Sequence, residues 1–306
     1  MKVFLAMLVL LFSTLVNANE LNNVVVFGDS LSDNGNLYEY MRHRIPQSPP
    51  YYEGRFTNGP VWIEQLTNFY FPNQVKSHLY DYAFGGAAIS DNAADDDILF
   101  TLNREIKTYL LSHDNKASEQ SLFIIWIGGN NYLALPENEE EANAIVVNGI
   151  ANGTEQLVKA GAKHILILTL PDLGRGPAAR QLKAEEKLTR LSKHHNELLK
   201  VALQKLRVKY PNVQFLYFET EGTVNRLLES PEEYGFTNTI DTCYDVLVDD
   251  ISKSSTLLMA AKSAKIDETC EGYLFFDPVH PTTLAHRLIA EDVRAMLDAS
   301  HVKFKK

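Results

Sequence analysis

Five short runs of apolar residues, rich in β-branched and aromatic side chains, punctuate the chain at 24–27, 79–83, 122–127, 164–170 and 213–218. Each is too short and too continuous for an amphipathic helix and has the length of a buried strand. Between them, apolar residues recur at helical spacing over 61–70, 101–113, 141–160 and 182–210, and again over 283–297. In the longest of these, Leu188, Leu191, Leu198, Leu199, Ala202 and Leu206 form one stripe. His195 falls on that stripe, which makes it a packed histidine rather than a ligand. Strands alternating with helices, with little polar alternation inside the strands, predict a parallel sheet covered on both faces. The expected fold is therefore α/β, a three-layer α/β/α sandwich around a five-stranded parallel sheet. Residues 230–276 break the alternation, and a long irregular stretch of this kind is commonly functional.

The start of the chain stands apart. MKVFLAMLVLLFSTLVNA carries one basic residue, an apolar run over 3–16 and a small-residue site ending at Ala18, the pattern of a secretory signal peptide over 1–18. As a membrane anchor the run is short. Residues 19–306 then read as one domain, without repeats or a low-complexity linker. With 306 residues, 45% hydrophobic and 22% charged, the chain has enough apolar material for a full core. The formal charge is −10, which leaves no basic stripe for phosphates and argues against a nucleic-acid partner. The acids at Asp95–Asp97 and Glu137–Glu141 read as solvated charge, not as a metal site. Cys243 and Cys270 are the two cysteines. Export favours an oxidised pair, with two free thiols as the alternative. Closing that loop is worth roughly 3 to 4 kcal/mol on a chain-entropy estimate.

Candidate chemistry lies where the predicted strands end. VVVFGDSLSDNG runs from strand into Gly28, Asp29 and Ser30. A serine in a turn is ordinarily a local hydrogen-bonding residue; it becomes a nucleophile when a base takes its proton and a third group holds the base. Among nine histidines, His280 alone has an aspartate placed to orient it, in Asp277-Pro278-Val279-His280-Pro281. The two prolines keep Asp277 and His280 out of helical conformation, in a stiff loop before the last helix. Acyl transfer also needs donors for a developing oxyanion. DYAFGGAAISD, with Gly85 and Gly86, and FIIWIGGNNYL, with Gly128, Gly129, Asn130 and Asn131, supply candidates. Each glycine pair read alone is an ordinary turn.

Taken together, these blocks resemble the GDSL lipases, also called SGNH hydrolases, of flavodoxin-like fold. Gly28-Asp29-Ser30-Leu31 is similar to the block that names the family. The resemblance implies Ser30 as nucleophile, with its own N–H, the Gly86 N–H and the Asn130 amide as the oxyanion hole, and Asp277 and His280 as the closing pair. GRFTNGPVWIEQL from Gly54 and LPDLGRGPAAR from Leu170 extend the likeness over nearly all of the mature chain. The likeness is strongest to secreted lysophospholipases A and bacterial phospholipid-cholesterol acyltransferases. It implies a secreted enzyme, extracellular or periplasmic, acting on lysophospholipid or phospholipid esters. Transient contact with a membrane surface and cholesterol as an acyl acceptor follow from it. No metal or organic cofactor is implied. Two positions depart from the family pattern: Asn131 stands where Asp is usual, and Asp81 where Asn is usual.

Other readings compete. Gly174-Arg175-Gly176-Pro177-Ala178-Ala179 mimics a dinucleotide fingerprint, but a proline sits in its glycine turn. No Gly-x-Ser-x-Gly elbow occurs. A carbohydrate acetylesterase of the same superfamily and a secreted binding protein without turnover are the alternatives in function. Between the cysteines, SSTLLMAAKSA has a capping serine pair and an apolar cluster. It reads as a small pinned helix or as a lid over the acyl site.

Overall fold

The computed structural model describes residues 20–90, 100–244 and 269–305. The expected signal segment at 1–18, the acids Asp95–Asp97 and the lid stretch at 254–264 lie outside the described residues. Five strands, β1 (Asn23–Gly28), β2 (Leu79–Asp81), β3 (Ser121–Trp126), β4 (His164–Leu168) and β5 (Gln214–Phe218), form one parallel sheet in the order β2-β1-β3-β4-β5. Helices connect and cover them: α1 (Asn36–Tyr40), α2 (Trp62–Tyr70), α3 (Val75–His78), α4 (Leu102–Ser112), α5 (Gly129–Leu133), α6 (Glu139–Ala160), α7 (Pro177–Leu182), α8 (Glu185–Lys209), α9 (Thr220–Glu229) and α10 (Thr283–Ala299).

The near-continuous apolar character of the strands has a direct cause. Val25, Phe27, Phe123, Ile125, Ile165 and Ile167 point to one face and pack on α4, α6 and α8 through residues such as Ile106, Ile150 and Leu188. Val24, Val26, Leu122, Ile124, Leu166 and Leu168 point to the other, against Trp62 and Leu66 of α2 and Ile289 and Val293 of α10. Successive side chains of a strand alternate faces, so a sheet buried on both sides must be apolar at every position. Each fully buried aliphatic side chain contributes roughly 1.5 to 3 kcal/mol.

Departures from the sequence expectation have local causes. The helix read over 182–210 is two helices. Lys183 takes a left-handed conformation (φ 53°) that closes α7, and α8 starts at Glu185. His195 is fully buried on α8, as its place on the stripe implied. The irregular region follows α9 and contains a small parallel pair, β6 (Asn238–Thr242) and β7 (Tyr273–Phe275). Cys243, just after β6, and Cys270, just before β7, are joined in a disulfide with a Cα–Cα distance of 5.3 Å. Glu139–Glu141 form the first turn of α6, where Asn138 caps the Glu141 N–H and the acids suit the positive helix end.

Candidate active site

The carboxyl ends of β1, β3, β4 and β5 open onto one cleft, the usual ligand position in such a sheet. At β1 the strand stops on Gly28. Its N–H donates to Glu105 Oε2 at 2.8 Å and its carbonyl accepts the Phe84 N–H. A Cβ on Gly28 would lie 2.4 Å from the Trp126 carbonyl oxygen, so only glycine fits between the strands here. The chain then turns tightly: the Asp29 carbonyl accepts the N–H groups of Ser32 and Asp33, and the Asp29 side chain accepts that of Leu31. This turn leaves Ser30 at the cleft, 7% exposed.

His280 meets Ser30 from the opposite end of the sequence. Its Nε2 is 2.7 Å from Ser30 Oγ. Its Nδ1 lies 2.8 and 2.7 Å from the two oxygens of Asp277. A carboxylate on Nδ1 places the ring proton there and leaves the Nε2 lone pair toward the serine hydroxyl. The Asp277 carboxylate also accepts the backbone N–H groups of Val279 and His280 and the hydroxyl of Tyr51 at 2.7 Å. Burial would raise Asp277, but the charge of His280 and these hydrogen bonds outweigh it and hold the carboxyl below its ordinary range.

The loop carrying the pair is braced on several sides. Phe276 N–H donates to the His280 carbonyl, Ala178 N–H to that of Pro278, and the Thr57 hydroxyl to that of Pro281. Asn58 accepts the first N–H of α10, at Thr283. In the same segment Arg55 grips Glu64 through two nitrogens, and Trp62 N–H donates to His286 Nδ1. The stretch GRFTNGPVWIEQL thus holds the histidine loop in place.

Of the expected oxyanion donors, Asn130 lines the cleft with Ser30, and Gly86 follows Gly85, whose N–H donates to Asp33 of the serine turn. Gly85 and Gly86 follow the extension of β2, where Tyr82 and Phe84 continue to pair with β1. Gly86 has φ 76°, a conformation costly for other residues. Among the described residues the Ser30 and Gly86 N–H groups have no hydrogen-bond partner. Asn130 lines the cleft and spends one amide hydrogen on the Ala87 carbonyl, leaving the second. Asn131 clamps the neighbouring loop, accepting from Ile89 N–H and donating to Ile89 O. An aspartate could supply only the first bond. Asp81 accepts the N–H groups of Asn34 and Ala83 and the amide of Asn36.

Sequence reasoning did not assign the roles of four contributors. Asp33 accepts N–H groups from Gly35, Asn36, Leu37 and Gly85, tying the serine turn to the glycine turn; the Asp-Asn-Gly run was a legible signal for such a residue. Glu105, Tyr51 and Asn58 carry no such local signal. Burial pushes Asp29 and Asp33 up to about 6 against their hydrogen bonds, and drives Asp81 and Glu105 well above the ordinary range.

From Ser30 the cleft runs past Leu133, Leu170, Leu173, Val224 and Val279, with roughly 100 Å³ of it open to water-sized groups. The segment Leu170–Arg175 forms one wall, and Gly174 packs so closely on α8 that a Cβ would lie 2.2 Å from the Glu185 carbonyl oxygen. Gly174 thus serves helix packing.

The profile of the family GDSL-like Lipase/Acylhydrolase matches residues 24–293. The chain belongs to the GDSL lipase family. It is 35% identical to the phosphatidylcholine-sterol acyltransferase of Aeromonas hydrophila, across 92% of this chain and 91% of that one. It is also 30% identical to the thermolabile hemolysin of Vibrio parahaemolyticus and 28% to the secreted effector protein SseJ of Salmonella typhimurium, covering 65% and 63% of their lengths. In fold it is similar to a carbohydrate acetylesterase from Sinorhizobium meliloti, with TM-score 0.50 and 15% identity over 91% of this chain and 99% of that one. As a GDSL family member the protein is an ester hydrolase of the lipase and acyltransferase group. Among the described residues no helix is long and apolar enough to cross a membrane.

Proposed function

We propose that Ser30, His280 and Asp277 are nucleophile, base and orienting carboxylate of a hydrolase acting on lipid carboxylic esters. Lysophospholipids and phospholipids are the substrates, and water or an alcohol such as cholesterol is the acceptor. The observation that carries this reading is the 2.7 Å contact between His280 Nε2 and Ser30 Oγ, in a cleft with mostly apolar walls.

In the proposed reaction Ser30 Oγ bonds to the ester carbonyl carbon as its proton passes to His280 Nε2. Asp277, on Nδ1, stabilises the imidazolium. The carbonyl oxygen becomes an oxyanion facing the N–H groups of Ser30 and Gly86 and the spare amide hydrogen of Asn130. The tetrahedral centre collapses, the C–O bond to the leaving alcohol breaks, and Nε2 returns its proton to that oxygen. Water then attacks the acyl-serine as Nε2 takes its proton, and the acid leaves with Ser30 regenerated. With an alcohol in place of water the product is a new ester.

The apolar character of the cleft supports lipid esters over acetylated sugars, which offer hydroxyls that apolar walls would leave unpaired. The test is a panel of lysophospholipids, diacyl lipids, short esters and acetylated sugars, with and without cholesterol, on wild type and Ser30→Ala. Turnover of lipid esters that Ser30→Ala loses, with covalent addition of a fluorophosphonate at Ser30, is the expected result. Undiminished turnover by Ser30→Ala, or activity confined to acetylated sugars, would overturn the reading.

A further inference from the structure

We propose that Tyr51 is a positioning residue for the His280–Asp277 pair, acting through the hydrogen bond from its phenol to Asp277 Oδ2. The proposal rests on the reading of Ser30 and His280 given above. Asp277 is 3% exposed, and its two oxygens are served unequally. Oδ1 accepts two backbone N–H groups and faces Nδ1. Oδ2 faces Nδ1 and, among the described residues, otherwise has only the Tyr51 hydroxyl, at 2.7 Å. The backbone bonds come from the residues next to Asp277 itself. Tyr51 comes from a loop 226 residues away in sequence.

The phenol is fixed by its ring. Tyr51 makes edge contacts with Phe276, Tyr244 and Phe56 at centroid distances of 5.1, 5.6 and 5.9 Å. Phe56 lies 5.2 Å from the His280 ring, so one aromatic wall touches both members of the pair. Burial and the Asp277 charge push the Tyr51 hydroxyl well above its ordinary value, and it remains a donor throughout the working range of a hydrolase.

A donor on Oδ2 has two consequences. It fixes the plane of the carboxylate against Nδ1, and it draws negative charge away from the imidazole. Without it the carboxylate attracts the imidazolium formed in the reaction more strongly, which moves the acidic limb of the rate profile to higher pH. The other titratable groups acting on the pair are Asp29 on the serine turn and His286 on α10, both near His280, and Tyr244 on the aromatic wall, near Asp277. None of them hydrogen-bonds Tyr51, so all stay in place when its hydroxyl is removed. His286, held at about 3 by burial, carries no charge in the relevant range.

The experiment compares Tyr51→Phe, Tyr244→Phe, Ser30→Ala and wild type, as full-length chains, on p-nitrophenyl butyrate from about pH 5 to about pH 9. Tyr51→Phe removes one oxygen and keeps every ring contact; near-ultraviolet circular dichroism checks that each variant is folded. For Tyr51→Phe, kcat is expected to fall roughly tenfold, the effect of one charge-assisted hydrogen bond, with KM little changed. The midpoint of the acidic limb of kcat/KM is expected to move up by ~0.5 unit. Tyr244→Phe, on the same wall without a hydrogen bond to Asp277, keeps the wild-type limb. A wild-type profile in Tyr51→Phe, or the same shift in both tyrosine variants, overturns the proposal while an inactive Ser30→Ala leaves the nucleophile reading standing. Full activity in Ser30→Ala overturns both.

Discussion

Glu105 gives a stability test of the ground beneath the nucleophile. The side chain reaches from α4 to the end of β1, where Oε2 accepts the Gly28 N–H at 2.8 Å and Oε1 has no partner among the described residues. It is 3% exposed. Burial pushes it well above 4.5, and the nearby carboxyls of Asp81, Asp29 and Asp33 add to the rise over the opposing Gly28 bond. The raised value means that the folded chain retains a proton the unfolded chain has released. Its stabilising contribution is therefore complete below about pH 4.5 and is lost as pH rises through the folded value, at about 1.4 kcal/mol per pH unit. Glu105→Gln keeps a carbonyl oxygen for the Gly28 N–H and cannot ionise. Urea unfolding of both proteins should show a stability difference in favour of the variant that widens by about 1.4 kcal/mol per unit above pH 4.5 and then levels off. Glu105→Ala should behave differently. It strands a buried donor, at roughly 1 to 3 kcal/mol, opens a cavity beside the turn, and should lower kcat by shifting Ser30. Parallel stability–pH curves for wild type and Glu105→Gln would refute the buried-proton argument.

Two further substitutions test other parts of the site. Asn131→Asp loses the donor to the Ile89 carbonyl, which should cost roughly 1 to 3 kcal/mol near neutral pH. Part of that should return as pH falls and the acid regains a proton to donate; equal losses by thermal melting at about pH 4.5 and at neutral pH would contradict this. Val224→Trp fills the cleft beyond the end of β5, three inter-strand steps or roughly 14 Å from Ser30. It should cut turnover of long-chain esters by at least about tenfold while sparing a butyryl ester, and an equal loss on both substrates would remove this region from the acyl path.

The strands were legible because burial on both faces forces apolar residues at every position, and the observed limits lie within two residues of the runs, β2 and β4 ending two residues early. The break at Lys183 was not, since a lysine inside a helical pattern gives no sign of a left-handed turn. Nor was α9, whose ten residues carry only a short apolar face, or the β6–β7 pair, whose strands are brief and partly exposed. At the site the same division holds. Ser30, Asn130, Asp277 and His280 sit at element ends or in proline-stiffened loops, where the local sequence is unusual. Their supports are ordinary residues made specific by distance in sequence: a glutamate inside a helix 77 residues from Gly28, and a tyrosine 226 residues from Asp277. Nothing near Glu105 or Tyr51 in the chain distinguishes them from a solvated acid or a packing ring. Only the approach of two segments in space gives the phenol a carboxylate to serve and the carboxyl a backbone N–H to hold. The groups that would set the orientation and protonation of the proposed machinery are thus the ones a single sequence conceals, and they are where substitution separates support from chemistry.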